Sequence, residues 1–176
     1  MKKLALTLTV ILVSVVLSFG QKLAFVDSEY ILQNIPEYSD AQQELDDLSI
    51  KWQREIEEKF QEIDQMYKKY QSDAVLLPED MKAQREDEII QKEKEVKGLQ
   101  KKRFGKDGDL YKKRQEMIKP IQEKIYNAID EIANNSSYVA IFDKSTSNVS
   151  ILWSNAKFDI SDEVLDLMGY TYNSKE

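Results

Sequence analysis

Residues 36–78 read PEYSDAQQELDDLSIKWQREIEEKFQEIDQMYKKYQSDAVLLP, with 41 residues between the two prolines and no glycine or proline among them. Apolar side chains recur at Ala41, Leu45, Leu48, Trp52, Ile56, Phe60, Ile63, Tyr67, Tyr70 and Ala74. The 33 residues from first to last are covered in nine steps, which is a helical period and slightly longer than a heptad repeat requires. Three consecutive four-residue steps, from Leu48 to Phe60, offset the left-handed supercoil of a strict heptad. The spacing predicts one nearly straight arm from Glu37 to Leu77, about 60 Å long at about 1.5 Å per residue. A small globular domain is narrower than that, so the arm is expected to project from its body.

The next residues, Leu76-Leu77-Pro78-Glu79-Asp80, read as a turn into a second helix. Proline suits a helix start, and acids in the first turn face the positive end of the helix dipole. The second arm is expected from Glu79 to Asn134. Its apolar stripe is dense at Leu110, Met117, Ile118, Ile121, Ile125, Ala128 and Ile132 and sparse before that. The segment Lys92–Arg114 holds ten basic and four acidic residues and includes Gly98, Gly105 and Gly108. Each glycine weakens a helix by about 1 kcal/mol relative to alanine, so a pliable middle is expected. Pro120 is expected to add a kink. Glu37 to Leu77 carries eleven acids against five bases, which suits pairing with the basic stretch across the hairpin. Antiparallel folding about residue 77 sets Arg103 near Trp52 and Lys97 near Glu57 or Glu58.

Strand-like runs bracket the arms. Leu23–Val26 is a short buried-type strand, and Asp27 or Ser28 caps a brief helix from Glu29 to Asn34. Tyr138–Phe142 and the alternating Val149–Trp153 read as two further strands. A final helix begins at Ile160-Ser161, with Ser161 as its cap, Val164, Leu165, Leu167 and Met168 on its buried side, and Gly169 ending it. The chain is thus α+β and mostly α. A small β-rich body, 21–36 and 135–176, carries a long antiparallel helical hairpin, 37–134, with its tip near 76–81. A body so small needs partners to bury enough apolar surface.

Met1-Lys2-Lys3, the apolar run Leu4–Leu17 and the small residues Ser18 and Gly20 have the layout of a secretory signal peptide, 1–20, cleaved before Gln21. An uncleaved anchor is the rival, at the lower limit of spanning length. Without Lys2 and Lys3 the formal charge moves from -7 to -9, which disfavours general nucleic-acid binding. The chain has no cysteine and no histidine. That removes disulfides, thiol catalysis, the usual zinc ligands and most nucleophile–base pairs. No nucleotide-binding loop is present, and the paired acids Glu57 and Glu58 lie on an exposed face. No enzyme, cofactor or metal site is expected.

Several segments taken in order resemble the Skp/OmpH family of periplasmic chaperones. Leu23-Ala24-Phe25-Val26-Asp27 with Tyr30-Ile31-Leu32 is similar to the family's opening strand and helix. Lys119-Pro120-Ile121, Lys124-Ile125 and Ala128-Ile129 look like its helix leading back to the body. Tyr138–Asp143 and Phe158–Leu165 look like its closing strand and final helix start. The resemblance implies a homotrimer whose bodies join in a small β-barrel and whose three arms enclose a cavity for unfolded outer-membrane proteins in the periplasm. It implies an ATP-independent holdase. The best-known members are basic, whereas this chain is acidic, so contact with membrane or lipopolysaccharide is expected to be peripheral at most.

Candidate client contacts are Leu76, Leu77 and Met81 at the tip and Trp52, Phe60, Tyr67 and Tyr70 on the first arm. The aromatics have a plainer alternative, packing against the second arm, and the tip residues could instead staple the turn. Candidate trimer contacts are Leu23, Phe25, Val139, Ile141, Ile151 and Trp153. The rival function is an exported structural or adaptor protein that docks on one folded envelope partner.

Overall fold

The computed structural model describes residues 22–146 and 151–171. The signal peptide expected at 1–20 lies outside them, as do Val149 and Ser150 of the expected third strand. The elements in order are β1 (Lys22–Val26), α1 (Ser28–Gln33), α2 (Pro36–Asp73), α3 (Glu79–Phe104), α4 (Asp109–Ser136), β2 (Tyr138–Asp143), a 3-10 turn (Ala156–Phe158) and α5 (Ser161–Met168). The described residues fall into two compact units: a hairpin unit, Pro36–Glu123, and a sheet unit, 22–35 with 124–146 and 151–171.

The hairpin unit follows its periodicity. α2 runs unbroken for 38 residues. It ends at Asp73, four residues earlier than the spacing suggests, because Ala74–Leu77 form a turn in which the Leu76 amide donates to the Asp73 carbonyl at 2.9 Å. Two apolar clusters hold the hairpin. Ile56, Ile63, Ile89 and Val96 join α2 to α3, flanked by Phe60, Met66, Tyr70, Leu99 and Phe104. Ala41, Leu45 and Ile118 join α2 to the start of α4, flanked by Tyr38, Leu110 and Met117.

The second arm is not one helix. It breaks between Phe104 and Asp109, where Gly105 and Gly108 sit. Neither glycine there has a left-handed φ. Their reason is space: a Cβ on Gly105 would lie 2.4 Å from the Lys101 carbonyl oxygen, and one on Gly108 would lie 2.8 Å from the carbonyls of Lys102 and Arg103. Gly98 meets no such wall and stays inside α3. Pro120 lies within α4 without ending it. No helix of the described residues is long and apolar enough to cross a membrane.

In the sheet unit β1 and β2 pair in parallel, with Leu23 opposite Ala140, Ala24 opposite Ile141, Phe25 opposite Phe142 and Val26 opposite Asp143. Ala24 and Val26 are buried, as are Ile31, Ile35, Ile125, Ala128, Ile132, Ile160, Val164 and Leu165. α1 packs on α5. Gly169 closes α5 in the left-handed conformation at φ 80°, with its amide on the Asp166 carbonyl and the Tyr170 amide on that of Leu165. Ile151–Asn155 carry no strand, so the third strand is not formed among the described residues. An isolated parallel bridge from Phe25 to Asp159 occupies the far side of β1 instead.

Candidate functional surfaces

The hairpin tip follows from the turn. Between the end of α2 and the start of α3 the turn carries Val75 and Leu76 away from the packed faces of both helices. Val75 is 90% exposed and Leu76 85%. Met81, on the first turn of α3, is exposed as well, whereas Leu77 is half-buried and shares a small cleft with Met66, Tyr70 and Ile89. Val75 escaped sequence reasoning because it was counted inside the first arm. The early end of α2 is what frees it.

The aromatic candidates divide. Trp52 is buried; the Phe104 ring meets it edge-on at 6.4 Å, and the Arg103 guanidinium lies 4.6 Å above it. The antiparallel count that put Arg103 near Trp52 matches this geometry. A side chain so enclosed is part of the packing and leaves no face for a client. Phe60 and Tyr70 are half-buried against the Ile56–Val96 cluster, and the Tyr70 hydroxyl donates to Glu86. That bond is the main cause of the raised Tyr70 pKa. Only Tyr67 of the four stands clear into solvent. Ile50, outside the helical stripe, is also exposed and borders a shallow groove floored by Ile56, Phe60 and Phe104.

Charges pair more locally than the net count suggested. Arg103 reaches Glu55 across the hairpin at 3.8 Å, but Lys97 pairs with Glu93, Lys92 with Glu95 and Lys113 with Glu116 on their own helices. A neighbour one turn away costs less side-chain ordering than a partner on another helix. Lys97 therefore does not take Glu57 or Glu58.

The sheet unit exposes apolar groups too. Val139, Leu152 and Trp153 stand well out, with Leu23, Phe142 and Phe158 partly so. Phe25 is half-buried, its ring 6.1 Å from that of Phe142, and Ile141 and Ile151 are half-buried. The register splits the expected trimer set. Leu23 and Phe25 share a face with Ala140 and Phe142, while Ile141 pairs with Ala24 and shares the buried side. Phe142 therefore belongs with Leu23 as a surface candidate, an offset that strand alternation alone could not give, and Phe158 joins them by its exposure.

A polar network sews the ends of β1 and β2 to the start of α5. The Asp27 amide donates to Ser161 Oγ at 2.8 Å, and Ser161 Oγ donates to Asp159 Oδ1 at 2.6 Å. Ser161 thus sits inside the helix start rather than capping it; Asp159 accepts its amide at 3.0 Å. Lys144 pairs with Asp159 and lies 3.9 Å from Asp27. Ser28 and Ser145 hydroxyls both donate to the Asp143 carboxylate, at 2.6 and 2.8 Å. Burial pushes the Asp143 and Asp159 carboxyls up, but hydrogen bonds from Ser28 and Ser145 on the first, and from Lys144 and Ser161 on the second, outweigh it. Both end below the usual carboxylate range. Among the described residues no group of three or more acids is placed to hold a metal ion.

The family model described as "Outer membrane protein (OmpH-like)" matches residues 22–168. A crystal structure from Caulobacter crescentus CB15, of a protein described as an OmpH-like outer membrane chaperone, superposes with a TM-score of 0.68. It is 12% identical, and the match covers 89% of this chain and 91% of that one. At that identity the likeness speaks for the fold. No curated protein matches this chain.

Proposed function

The chain belongs to the OmpH-like family, and from that premise we propose a non-enzymatic, periplasmic, ATP-independent holdase chaperone for unfolded outer-membrane proteins. Three copies would join through their sheet units, and three hairpins would enclose the client.

The observation that carries this reading is the exposed apolar tip of a long hairpin: Val75, Leu76 and Met81 uncovered beyond a helix of 38 residues. At about 1.5 Å per residue that helix is about 57 Å long. Burying one such side chain fully contributes about 1.5–3 kcal/mol, too little to fix a client and enough, summed over several tips, to keep it soluble. Exposed apolar groups of this kind mark contact surfaces. Trimer formation is supported by the apolar groups left open on the sheet unit and by the edge of β2, which no other strand of the described residues covers.

The test is suppression of aggregation of several unrelated unfolded β-barrel proteins, read beside the mass in sedimentation. A holdase suppresses all of them; an adaptor for one folded partner suppresses none. The paired change Val75→Ser and Leu76→Ser is expected to weaken suppression and leave the trimer intact. Val139→Asp is expected to give monomer at low concentration; it is cleaner than a charge at Ile141, whose side of the sheet is buried. A trimer that survives Val139→Asp, Phe142→Asp and Trp153→Asp together would defeat the assembly.

A further inference from the structure

We propose that the Gly105–Gly108 break is a joint in the second rod of the hairpin, held shut by Arg103, and that screening or removing that arginine lets the distal half of the hairpin bend. The two rods differ at this level. α2 passes unbroken and supplies Trp52 and Glu55, while its partner is cut into α3 and α4. The cut is specified locally, because any side chain at Gly105 or Gly108 would strike backbone carbonyls. Ile89, Val96, Arg103, Leu110 and Met117 follow one another at seven-residue intervals. Arg103 therefore takes a core place of that repeat, where an apolar residue would be ordinary.

What Arg103 does there is bridge the joint. Its guanidinium lies on Trp52 of the continuous rod, donates to Asp109 beyond the break at 2.7 Å and approaches Glu55 at 3.8 Å. Its Nε is buried and finds no acceptor. The shut state thus contains an unpaired buried donor, which opening would return to water. The Asp109 and Glu55 carboxylates keep 26% and 40% of their surface exposed, so salt screens their attraction for Arg103. The clasp is charged, partly wet and incompletely satisfied, which is the profile of a contact poised to release. The joint does not depend on the chaperone reading.

The chain has no cysteine, so spin labels can be placed cleanly. Gln91→Cys with Gln115→Cys spans the break at exposed positions, and Gln43→Cys with Gln65→Cys spans α2 as a reference. Labelled chain is diluted with unlabelled chain, and dipolar distances are measured at about 0.05 M and about 1 M salt, with and without Arg103→Gln. The expected result is a distribution across the break roughly twofold broader in high salt and in Arg103→Gln, with the α2 pair unchanged. The salt series on the native clasp serves if Arg103→Gln misfolds. Equal widths across the break under all conditions, or broadening of both pairs together, would overturn the joint. If the joint opens as stated while barrel proteins aggregate regardless, the client reading fails and the joint stands.

Discussion

The two units are held by contacts of different kinds. In the hairpin unit the ties are an apolar stripe read at helical spacing and ion pairs three or four residues apart, such as Lys97–Glu93 and Lys113–Glu116. In the sheet unit an apolar core is joined by polar ties distant in sequence: Asp27 to Ser161 spans 134 residues and Ser28 to Asp143 spans 115. Local ties form early and fail singly. Distant ties require loop closure first and lend their strength to one cooperative closure. The hairpin should therefore tolerate point changes on its surface, while the sheet unit should answer to single polar atoms.

The sharpest way to break that contrast is Leu165→Ala. Leu165 is fully buried in the sheet unit, and truncation should destabilise it by about 3 kcal/mol. Hydrogen exchange should then rise in β1, β2 and α5 while α2 and α3 keep their protection. A parallel loss in both units would show one cooperative structure and end the comparison. Ser161→Ala is the next step down, at about 2 kcal/mol, because it removes the hydroxyl to which the part-buried Asp27 amide donates. Its urea midpoint should fall well below that of a serine-to-alanine change on the hairpin, such as Ser49→Ala.

Acid sharpens the contrast without a mutation. Asp143 and Asp159 are held below the ordinary value of 3.8, so the stability they add is full above it and drains as pH falls through their lower folded values. Thermal melts followed below about pH 4 should lose the sheet unit first, and Asp143→Asn should flatten that decline. The smallest effect belongs to the hairpin surface: Lys97→Ala, on an exposed pair, should cost about 0.3 kcal/mol and vanish in high salt.

The same division governs what could be read beforehand. The helical arms, the turn near Pro78, the Trp52–Arg103 encounter and the closing Gly169 were legible, because each rests on spacing along one chain or on a simple antiparallel count. The exposed tip was legible in part: Leu76 and Met81 were marked, Val75 was not. On the sheet unit, Leu23 and Trp153 were marked and Phe142 and Phe158 were not, since no local pattern states which strand lies opposite which.

The amino-acid order alone determined two apolar-striped helices, their punctuation by proline and glycine, and the absence of the side chains that catalysis by thiol or imidazole needs. Only the fold decided that Lys97 takes Glu93, that Ser161 answers Asp27, that Ile141 sits opposite Ala24, and that the second rod breaks at Gly105–Gly108 while Gly98 stays helical. Periodicity carries information over a few residues, whereas register, pairing and steric room arise when segments far apart in the chain compete for one space.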